Sequence, residues 1–382
     1  MKSKSDKKQK KSGGILSVLG TILAYLLTTI VFIFIALYLI MMLLCKGPSI
    51  SARETFVVTM LETGNMKFVV SWYLTEDEIL AITNREADTP IATPESNDTS
   101  LVTVSTSDNL AVENTSPEME LINSLDDPDG DGIILVDITG RTFGAKLLVV
   151  RDPSKVAIAS CYPFSSMEME KNGYTVGEYA ELNHALAATN AGEFETPSGI
   201  NWGGRPIGVV VKNGNVEFAE PTYGDVFVGF NKDNVLVIQA VGTMSPDSFN
   251  YFVWSNGIRD GASFKDISYG DNNHFTMLIM NGEPVDLGSR GTGANPRTAI
   301  GQCSDGTVLI LVTDGRGSSG HLGATGQDLI NVMLQYGAVN AANLDGGSSS
   351  SLYFDGRYEM TSSYLPNSDS SRRLPTAIIV NK

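Results

Sequence analysis

The chain has 382 residues, 42% of them hydrophobic and 18% charged, which suits a globular protein of one large domain or two modest ones. Its formal net charge is −16, and because residues 1–12 hold six Lys and one Asp, hence +5, the remainder carries −21. So acidic a body excludes broad binding to nucleic acid or anionic lipid, and an anionic ligand needs a local site. No CxxC or Cys/His cluster predicts structural zinc, and whether Cys161 and Cys303 pair stays open.

Residues 14–45 form one apolar run without a charged side chain. The hydrocarbon core of a bilayer needs about 20 apolar residues, so this run is long enough to span it. A cleaved signal peptide is the alternative, but its apolar region is usually about 7–15 residues long and ends at small residues. A lipoprotein at Cys45 is disfavoured, because "MMLLCKG" has no small residues just before the cysteine. We predict a cytoplasmic basic tail at 1–13 and a transmembrane signal-anchor at 14–45.

Residues 46–131 are predicted to be an extracellular helical and acidic spacer. In "TEDEI", Thr75 and Glu78 have the spacing of a helix N-cap and its capping-box partner. From residue 76 to residue 131 there are fifteen acidic residues and one basic residue, Arg85. So polar a stretch lacks the apolar side chains needed for a core, so we expect it to be solvated, with one short helix near "SPEMELINSL".

The segment "DDPDGDGI" raises the question of calcium. Asp127, Asp129, Asp131 and Gly132 occupy positions one, three, five and six of a loop of the EF-hand type. Position twelve is Ile138, where such loops carry Glu, and no pair of flanking helices is evident. We therefore interpret the segment as an acidic turn that leads into a strand, "GIILVDI".

From residue 132 onward, short apolar runs alternate with turn signals, which is typical of strands. "KNGN" and "NKDN" each lie between two such runs and predict β-hairpins. Two helices are indicated: "TVGEYAEL", with Thr175 and Glu178 as a capping box, and "TGQDLINVMLQYG", which ends at Gly337. The predicted fold is α+β: a single sheet-dominated globular domain, residues 132–382, with a few helices, preceded by one transmembrane helix.

Three glycine-containing segments follow strand-like or helical runs: "ATNAGEF" (188–194), "LVTDGRGSSG" (311–320) and "NLDGGSSSS" (343–351). Each offers an acid or an amide, and glycine permits close approach of the backbone to a ligand. Successive glycine N–H groups can form a nest for an anion, and Arg316 adds a planar fork suited to phosphate. Together they predict a site for a phosphorylated or polyhydroxylated ligand. From spacing alone, ordinary Gly-Ser turns are the alternative.

The order and wording of "TNAGEF", "NPRTAIG", "LVTDGRGSSG", "NLDGGSSSS" and "SRRLPTAIIV" resemble the phosphodiester glycosidase family. The family includes the "uncovering" enzyme, an N-acetylglucosamine-1-phosphodiester alpha-N-acetylglucosaminidase. The resemblance extends over about residues 132–382. The anchor and the spacer lie outside it and look like the architecture of a bacterial surface protein.

The resemblance implies a set of site residues. It assigns catalytic roles to Asp345 first and Asp314 second. Glu193 stands where the family more often has an aromatic or small residue, and His274 has no firm counterpart. His321, between the two best motifs, is a further candidate, and Arg373 is the alternative to Arg372. The matched substrate-binding residues are Asn190, Gly192, Arg297, Arg316, Asn343, Gly346, Gly347, Ser348 and Arg372.

The chemistry expected from the resemblance is hydrolysis of the bond between an anomeric carbon and a phosphate oxygen. Arginines would hold the phosphate, and a carboxylate would attack the anomeric carbon or activate water. The expected substrate is a sugar phosphodiester of the GlcNAc-1-phosphate type in exopolysaccharide or cell-wall glycan, without a cofactor; a divalent cation held by paired aspartates is the alternative. A non-catalytic glycan- or wall-binding surface protein is the competing function. Retention or inversion stays open.

Overall fold

The computed structural model describes residues 12–62, 67–83, 95–104, 116–164, 171–195, 203–269, 272–361 and 370–382. Helices and strands both occur in these ranges. The helices are α1 (Ser12–Lys46), α2 (Ile50–Glu62), α3 (Lys67–Ser71), α4 (Glu76–Thr83), α5 (Pro117–Asn123), α6 (Val176–Leu182), α7 (Pro246–Ser255) and α8 (Gly326–Gln335).

The strands form a domain that is mainly antiparallel sheet. They are β1 (Ile133–Thr139), β2 (Gly144–Val150), β3 (Val156–Ser160), β4 (Ala187–Asn190), β5 (Gly208–Lys212), β6 (Asn215–Glu220), β7 (Asp225–Asn231), β8 (Leu236–Ala240), β9 (Ile258–Lys265), β10 (Ile267–Tyr269), β11 (Asn272–His274), β12 (Met277–Met280), β13 (Glu283–Pro284), β14 (Thr298–Cys303), β15 (Val308–Thr313), β16 (Ala338–Asn343), β17 (Leu352–Phe354), β18 (Arg357–Met360) and β19 (Thr376–Val380).

Three larger sheets build the domain. The first has seven strands in the order β1-β2-β15-β14-β16-β12-β13, the second five in the order β18-β17-β4-β19-β3, and the third five in the order β6-β5-β9-β7-β8. The predicted hairpins at "KNGN" and "NKDN" join β5 to β6 and β7 to β8. The mixed, sheet-dominated fold predicted from the sequence is therefore confirmed.

The core lies mainly against the seven-stranded sheet. Every residue of β14 and β15 is buried, which explains why "VLILVT" is apolar without alternation: both faces of the strand are covered. Helix α8 covers part of this sheet and buries Leu329, Val332 and Met333. Its N-terminus has a capping box of Thr325 and Asp328, and the chain leaves it at Gly337, whose φ of 77° favours glycine.

Cys161 and Cys303 are free thiols, each buried in a different hydrophobic cluster of the core. The two predicted capping boxes of the earlier helices are also present, Thr75 with Glu78 and Thr175 with Glu178. The sequence left open whether Cys161 and Cys303 pair; in this structure they do not, because they lie in separate clusters.

The expectation of a solvated spacer is wrong for two of its segments. Residues 95–104 run along the domain, where the buried Asn97 side chain donates to Leu236 O at 2.9 Å and accepts from Ile238 N at 2.7 Å. Helix α5 buries Met119 and Ile122 in the main core. Residues 84–94 and 105–115 lie outside the described part of the chain. The domain boundary at residue 132 stays a prediction.

The acidic turn before β1 has the internal hydrogen bonds of a turn. The Asp127 carboxylate accepts from Gly130 N at 3.1 Å and Gly132 N at 3.2 Å. Lys155 Nζ donates to the backbone oxygen of Asp131 at 2.8 Å. The Lys155 ammonium group and the backbone N–H groups of the turn thus supply its hydrogen bonds, as expected for an acidic turn.

Helices α2, α3 and α4 form a helical module that lies between the apolar helix α1 and the sheets. Ser17–Lys46 of α1 has a mean hydropathy of 2.8 and is long and apolar enough to cross a membrane. Its last turn joins a small cluster with α2, α3 and α4 that includes Cys45, Val57, Val70 and Ile82. That this helix stays uncleaved as an anchor, and that its N-terminus is cytoplasmic, stay predictions.

Candidate active site

The candidate site lies at one edge of the seven-stranded sheet. Both β15 and β16 are antiparallel to β14, so they run in the same direction and end at the same edge. Asp314 directly follows β15, Asp345 comes two residues after β16, and Arg297 directly precedes β14 between them. One strand separates the two aspartates, which corresponds to about 10 Å between their backbones.

Asp345 has one carboxylate oxygen that is buried. Its Oδ1 accepts from Gly346 N at 2.9 Å, whereas its buried Oδ2 has no hydrogen-bond partner of good geometry in the described residues. Burial raises the pKa of Asp345, and the Ser349 hydroxyl, Arg372, the Gly346 N–H and Arg316 oppose that rise. A buried oxygen without a partner is costly, so this carboxylate is held for a purpose other than stability.

Two arginines from distant segments act on Asp345. Arg372 Nη1 donates to Ser348 Oγ at 3.0 Å and lies with its guanidinium carbon 4.8 Å from the centre of the Phe194 ring. Arg316 Nε donates to Asn295 Oδ1 at 3.2 Å, and its backbone has a φ of 54°, which few non-glycine residues adopt. The site therefore combines one carboxylate with two planar cations.

The two glycines after Asp345 are needed for close packing. A Cβ on Gly347 would lie 2.8 Å from Arg316 Nη2, and φ at Gly347 is 59°. The Gly346 N–H donates to Asp345 Oδ1 and the Gly347 N–H donates to Pro296 O at 2.7 Å. Both N–H groups are used within the protein, and the arginines are the cationic groups of the turn; the glycine nest for an anion stays a prediction.

Asn190 ties the second sheet to this turn. It is completely buried at the end of β4, and its Nδ2 donates to the Asp345 backbone oxygen. Its Oδ1 accepts from Thr298 Oγ1 at 2.8 Å. Gly192, two residues later, has no room for a side chain, because a Cβ would lie 2.9 Å from Ala262 Cβ. Asn190 and Gly192 therefore position the Asp345 turn, and neither presents a reactive group to it.

Glu193 follows this packed segment and brings a second carboxylate. Its N–H donates to Ser263 O at 3.1 Å, and its backbone oxygen accepts from Ile207 N at 3.0 Å. Burial raises the pKa of Glu193 to about 7; Asp345 and Asp225 add to the rise, and Lys265 opposes it. The sequence flagged this residue as a departure from the family but did not assign it a role.

Asp314 differs from Asp345 in that both of its carboxylate oxygens are engaged. Oδ1 accepts from Gly144 N at 2.8 Å, and Oδ2 lies 2.7 Å from His321 Nδ1. A Cβ on Gly144 would lie 3.1 Å from Oδ2, so β2 approaches this pair closely. Asp314 and His321 thus form a carboxylate–imidazole pair. His321, a further candidate from the sequence, therefore lies beside a predicted site residue.

Arg297 and Asn343 lie beneath the site. Arg297 is 8% exposed, donates to Gly293 O at 2.9 Å and stacks on Phe275 at 4.9 Å. Asn343 is buried and donates to Phe275 O at 2.9 Å. These contacts support the loops that carry Asp345 and Arg316. His274 lies elsewhere, with its ring 5.5 Å from that of Phe264, and Arg373 pairs with Glu178 at 3.0 Å.

The structure thus brings most of the predicted residues to one place. Arg316 and Arg372 lie near enough to Asp345 to oppose the rise of its pKa, Arg372 donates to Ser348, and Asp314 lies at the same sheet edge. In the described ranges, one group of three possible metal ligands lies within 4.8 Å of one another, Asp127, Asp129 and Asp131. It belongs to the turn before β1 and does not include the candidate aspartates.

A carboxylate flanked by two guanidinium groups at a sheet edge defines a site for an anionic ligand on which a carboxylate can act. The comparisons agree with this class of protein. Residues 183–381, just over half of the chain, match the sequence model of the phosphodiester glycosidase family. The chain therefore belongs to the phosphodiester glycosidase family, a family of hydrolases.

Other similarities are partial. The chain is 30% identical over 234 residues to the SPbeta prophage-derived uncharacterized protein YomE of Bacillus subtilis (strain 168), a match that covers 58% of this chain and 32% of that protein. The chain thus spans about a third of the length of this curated relative.

Solved structures are similar at lower identity. The catalytic domain of zebrafish N-acetylglucosamine-1-phosphodiester alpha-N-acetylglucosaminidase, auto-inhibited by its pro-peptide, is 19% identical, with a TM-score of 0.47 over 65% of this chain and 82% of that one. A hypothetical protein from Synechocystis is 17% identical, with a TM-score of 0.39 over 65% of this chain and 61% of that one.

Proposed function

We propose that this protein hydrolyses a sugar-1-phosphodiester of the GlcNAc-1-phosphate type. The observation that carries the proposal is the buried Asp345 carboxylate, with Arg316 and Arg372 as the cations that act on it. In this proposal the arginines hold the phosphate and stabilise the charge that develops on its departing oxygen. Asp345 attacks the anomeric carbon or takes a proton from the attacking water.

Asp314 has a supporting role in this proposal. Its two oxygens are already bonded to Gly144 N and to His321, so it lacks the unpartnered oxygen that Asp345 has. Such a carboxylate fixes the tautomer and the orientation of an imidazole. We propose no cofactor: the two arginines supply positive charge at the phosphate, the function that a divalent cation has in many phosphate sites.

The proposed setting is the outer face of a cell membrane. The helix Ser17–Lys46 would be the anchor, and the lysines before it favour a cytoplasmic N-terminus. The substrate would then be a phosphorylated glycan outside the cell, in exopolysaccharide or cell wall. The acidic body argues against nucleic acid as a partner.

The test is release of sugar by the full chain in detergent. The full chain is needed because residues 95–104 and α5 pack on the sheets. With a GlcNAc-1-phosphodiester we expect free GlcNAc and a phosphomonoester, unchanged by a chelator, and the anomer of the first product shows retention or inversion. Binding of the diester without release would overturn the proposal in favour of a glycan-binding surface protein.

A further inference from the structure

We propose that Glu193 is a second reacting group of this site, which donates a proton to the phosphate oxygen as it leaves the anomeric carbon. This inference rests on the proposed function and adds to it a residue that the family resemblance leaves without a role. It depends on where Glu193 lies, on what surrounds its carboxyl group and on how it differs from Asp345.

The position of Glu193 is fixed by its neighbours on both sides. The Asp345 N–H donates to Ala191 O at 3.3 Å, and Asn190 donates to the Asp345 backbone oxygen. The backbone of Glu193 is bonded at both its N–H and its C=O, to Ser263 and Ile207. The segment 190–193 therefore connects the Asp345 turn directly to Glu193, with little freedom in between.

The side chain of Glu193 is enclosed and incompletely satisfied. Its Oε2 is buried and has no hydrogen-bond partner among the residues that the structure describes. A buried carboxylate oxygen without a partner in the protein is costly when it is charged, which favours the protonated form of the group or a ligand that completes it. Both conditions fit a carboxylic acid that gives its proton to a bound substrate.

The charged groups around Glu193 favour its neutral form. Asp345 and Asp225 repel a negative charge on it, and Lys265 attracts one. However, Lys265 Nζ is already paired with Asp225 Oδ1 at 2.8 Å, which weakens its effect on Glu193. On the next residue, the Phe194 ring stacks under Arg372, whose guanidinium acts on Asp345. With its pKa near 7, Glu193 holds its proton in a large fraction of molecules at neutral pH.

The two carboxyl groups have environments that separate their roles. Asp345 has two arginines, a hydroxyl and a backbone N–H that favour its charged form. Glu193 has only the Lys265 charge, itself shared with Asp225. Of two nearby carboxyl groups, the one whose charge is stabilised by more cations and hydrogen-bond donors ionises, and the other stays protonated. Asp345 is thus the base or nucleophile, and Glu193 the acid.

Asp345 takes a proton from water while the water oxygen bonds to the anomeric carbon. The bond between that carbon and the phosphate oxygen breaks, and its electron pair goes to the oxygen. Glu193 transfers its proton to that oxygen, which gives a free sugar and a phosphomonoester. The proton on Asp345 then returns to Glu193 through solvent.

The first experiment measures kcat/KM against pH for the full chain with a GlcNAc-1-phosphodiester. We expect the wild-type rate to fall above about pH 7. Glu193→Gln should lose about a hundredfold in rate, the lower end for loss of a general acid, together with this basic limb. Glu195→Gln is the matched control, because Glu195 is paired with Arg205 at 3.1 Å on the surface. An unchanged basic limb in Glu193→Gln overturns the proposal.

A second experiment does not depend on turnover. The infrared band of a protonated carboxyl group is followed between pH 5 and 9 in the wild type and in Glu193→Gln. We expect a band that disappears near pH 7 in the wild type and is absent from the variant. If no such band is lost in Glu193→Gln, Glu193 is ionised and the proposal is overturned, even if the enzyme is active. If the band is present but no diester is cleaved, the proposed function fails instead.

Discussion

At the scale of single residues, Asp345 holds its carboxylate where burial opposes the charge, and Asp345→Asn removes that charge while it keeps the shape. The amide oxygen can still accept from Gly346 N. We expect the rate constant to fall at least about a hundredfold, since the base or nucleophile is lost. Stability should stay equal or rise, because a buried group with a raised pKa is replaced by a neutral one.

The control for this change is Asp355→Asn. Asp355 lies exposed in the turn between β17 and β18 with a φ of 45°, which Asn tolerates well. Steady-state kinetics on one diester and thermal unfolding of both variants give the comparison. Full activity in Asp345→Asn would remove Asp345 from the mechanism.

Arg316 offers a test of how the phosphate is held. Arg316→Lys keeps the charge but loses the planar fork, so binding of GlcNAc-1-phosphate should weaken about tenfold or more, while binding of free GlcNAc stays the same. Calorimetric titration of the two ligands measures the difference. Arg357→Lys is the surface control, since Arg357 is 78% exposed and paired with Glu359. Equal weakening for both ligands in Arg316→Lys would speak against a phosphate contact.

Glu193 should also affect how the free energy of unfolding depends on pH. Its pKa is raised to about 7 in the folded protein, so the folded state keeps this proton at pH values where the unfolded chain has lost it. Stability is therefore lost between about pH 4 and pH 7, by at most about 3 kcal/mol. Glu193→Gln should match the wild type at pH 4 and exceed it at pH 8, as urea unfolding at both values will show. A constant difference would contradict the assignment.

Asp345, Arg316 and Arg372 could be proposed from the sequence because each lies in a short segment that resembles a motif of the family. The partners of Glu193 were not predictable in the same way. Ser263 and Lys265 belong to β9, about seventy residues further along the chain, and only the folded third sheet brings them to Glu193. Long-range pairing of this kind leaves no local pattern.

At the scale of elements, the segment 95–104 shows how composition misleads. It is polar, yet it adds to the edge of β8 through Ser96, and its Asn97 pairs with the backbone of the strand. Backbone and amide hydrogen bonds attach it to the domain, and Val102 is its buried apolar side chain. Helices α6 and α8, by contrast, were predictable because a capping box and an apolar face are local signals.

Asn97→Ala tests whether this segment belongs to the folded domain. The change leaves a buried N–H of Ile238 and a buried carbonyl of Leu236 without partners, which costs about 1–3 kcal/mol. In a domain of this size, the melting temperature should fall by roughly 2–10 °C. Ser100→Ala removes an exposed hydroxyl from the same segment and should change little. An unchanged melting temperature in Asn97→Ala would restore the spacer interpretation.

At the scale of the whole molecule, the helical module links the apolar helix to the candidate site. Thr59 Oγ1 in α2 accepts from Ala294 N at 2.9 Å, and the neighbouring Gly293 oxygen accepts from Arg297. The loop that leads into β14 is therefore held by α2 on one side and by Arg297 on the other. If α1 spans the membrane, this contact sets the height and direction of the Asp345 turn above it.

The same module should touch the bilayer surface. The ring of Tyr73 lies 5.5 Å from that of Tyr38 in α1. Residues 17–38 of α1 have a length of about 33 Å, enough for the hydrocarbon core, so if α1 spans a membrane from residue 17, Tyr38 lies near a boundary of that core. Beside Tyr73, Trp72 is 73% exposed and Phe68 is 50% exposed, and their rings meet edge-on at 5.1 Å. Exposed aromatic rings at that depth are typical of the membrane interface.

Trp72 can report this contact directly. The chain has three tryptophans, and variants that retain only Trp72 or only Trp254 are compared in vesicles. Trp254 is the matched control, because it is 77% exposed on α7, in the sheet domain. Brominated lipids should quench the fluorescence of Trp72 strongly and that of Trp254 weakly, because quenching needs contact with the acyl chains. Equal, weak quenching of both would mean that the module stands clear of the bilayer, and the fixed height of the site would then have to come from α1 alone.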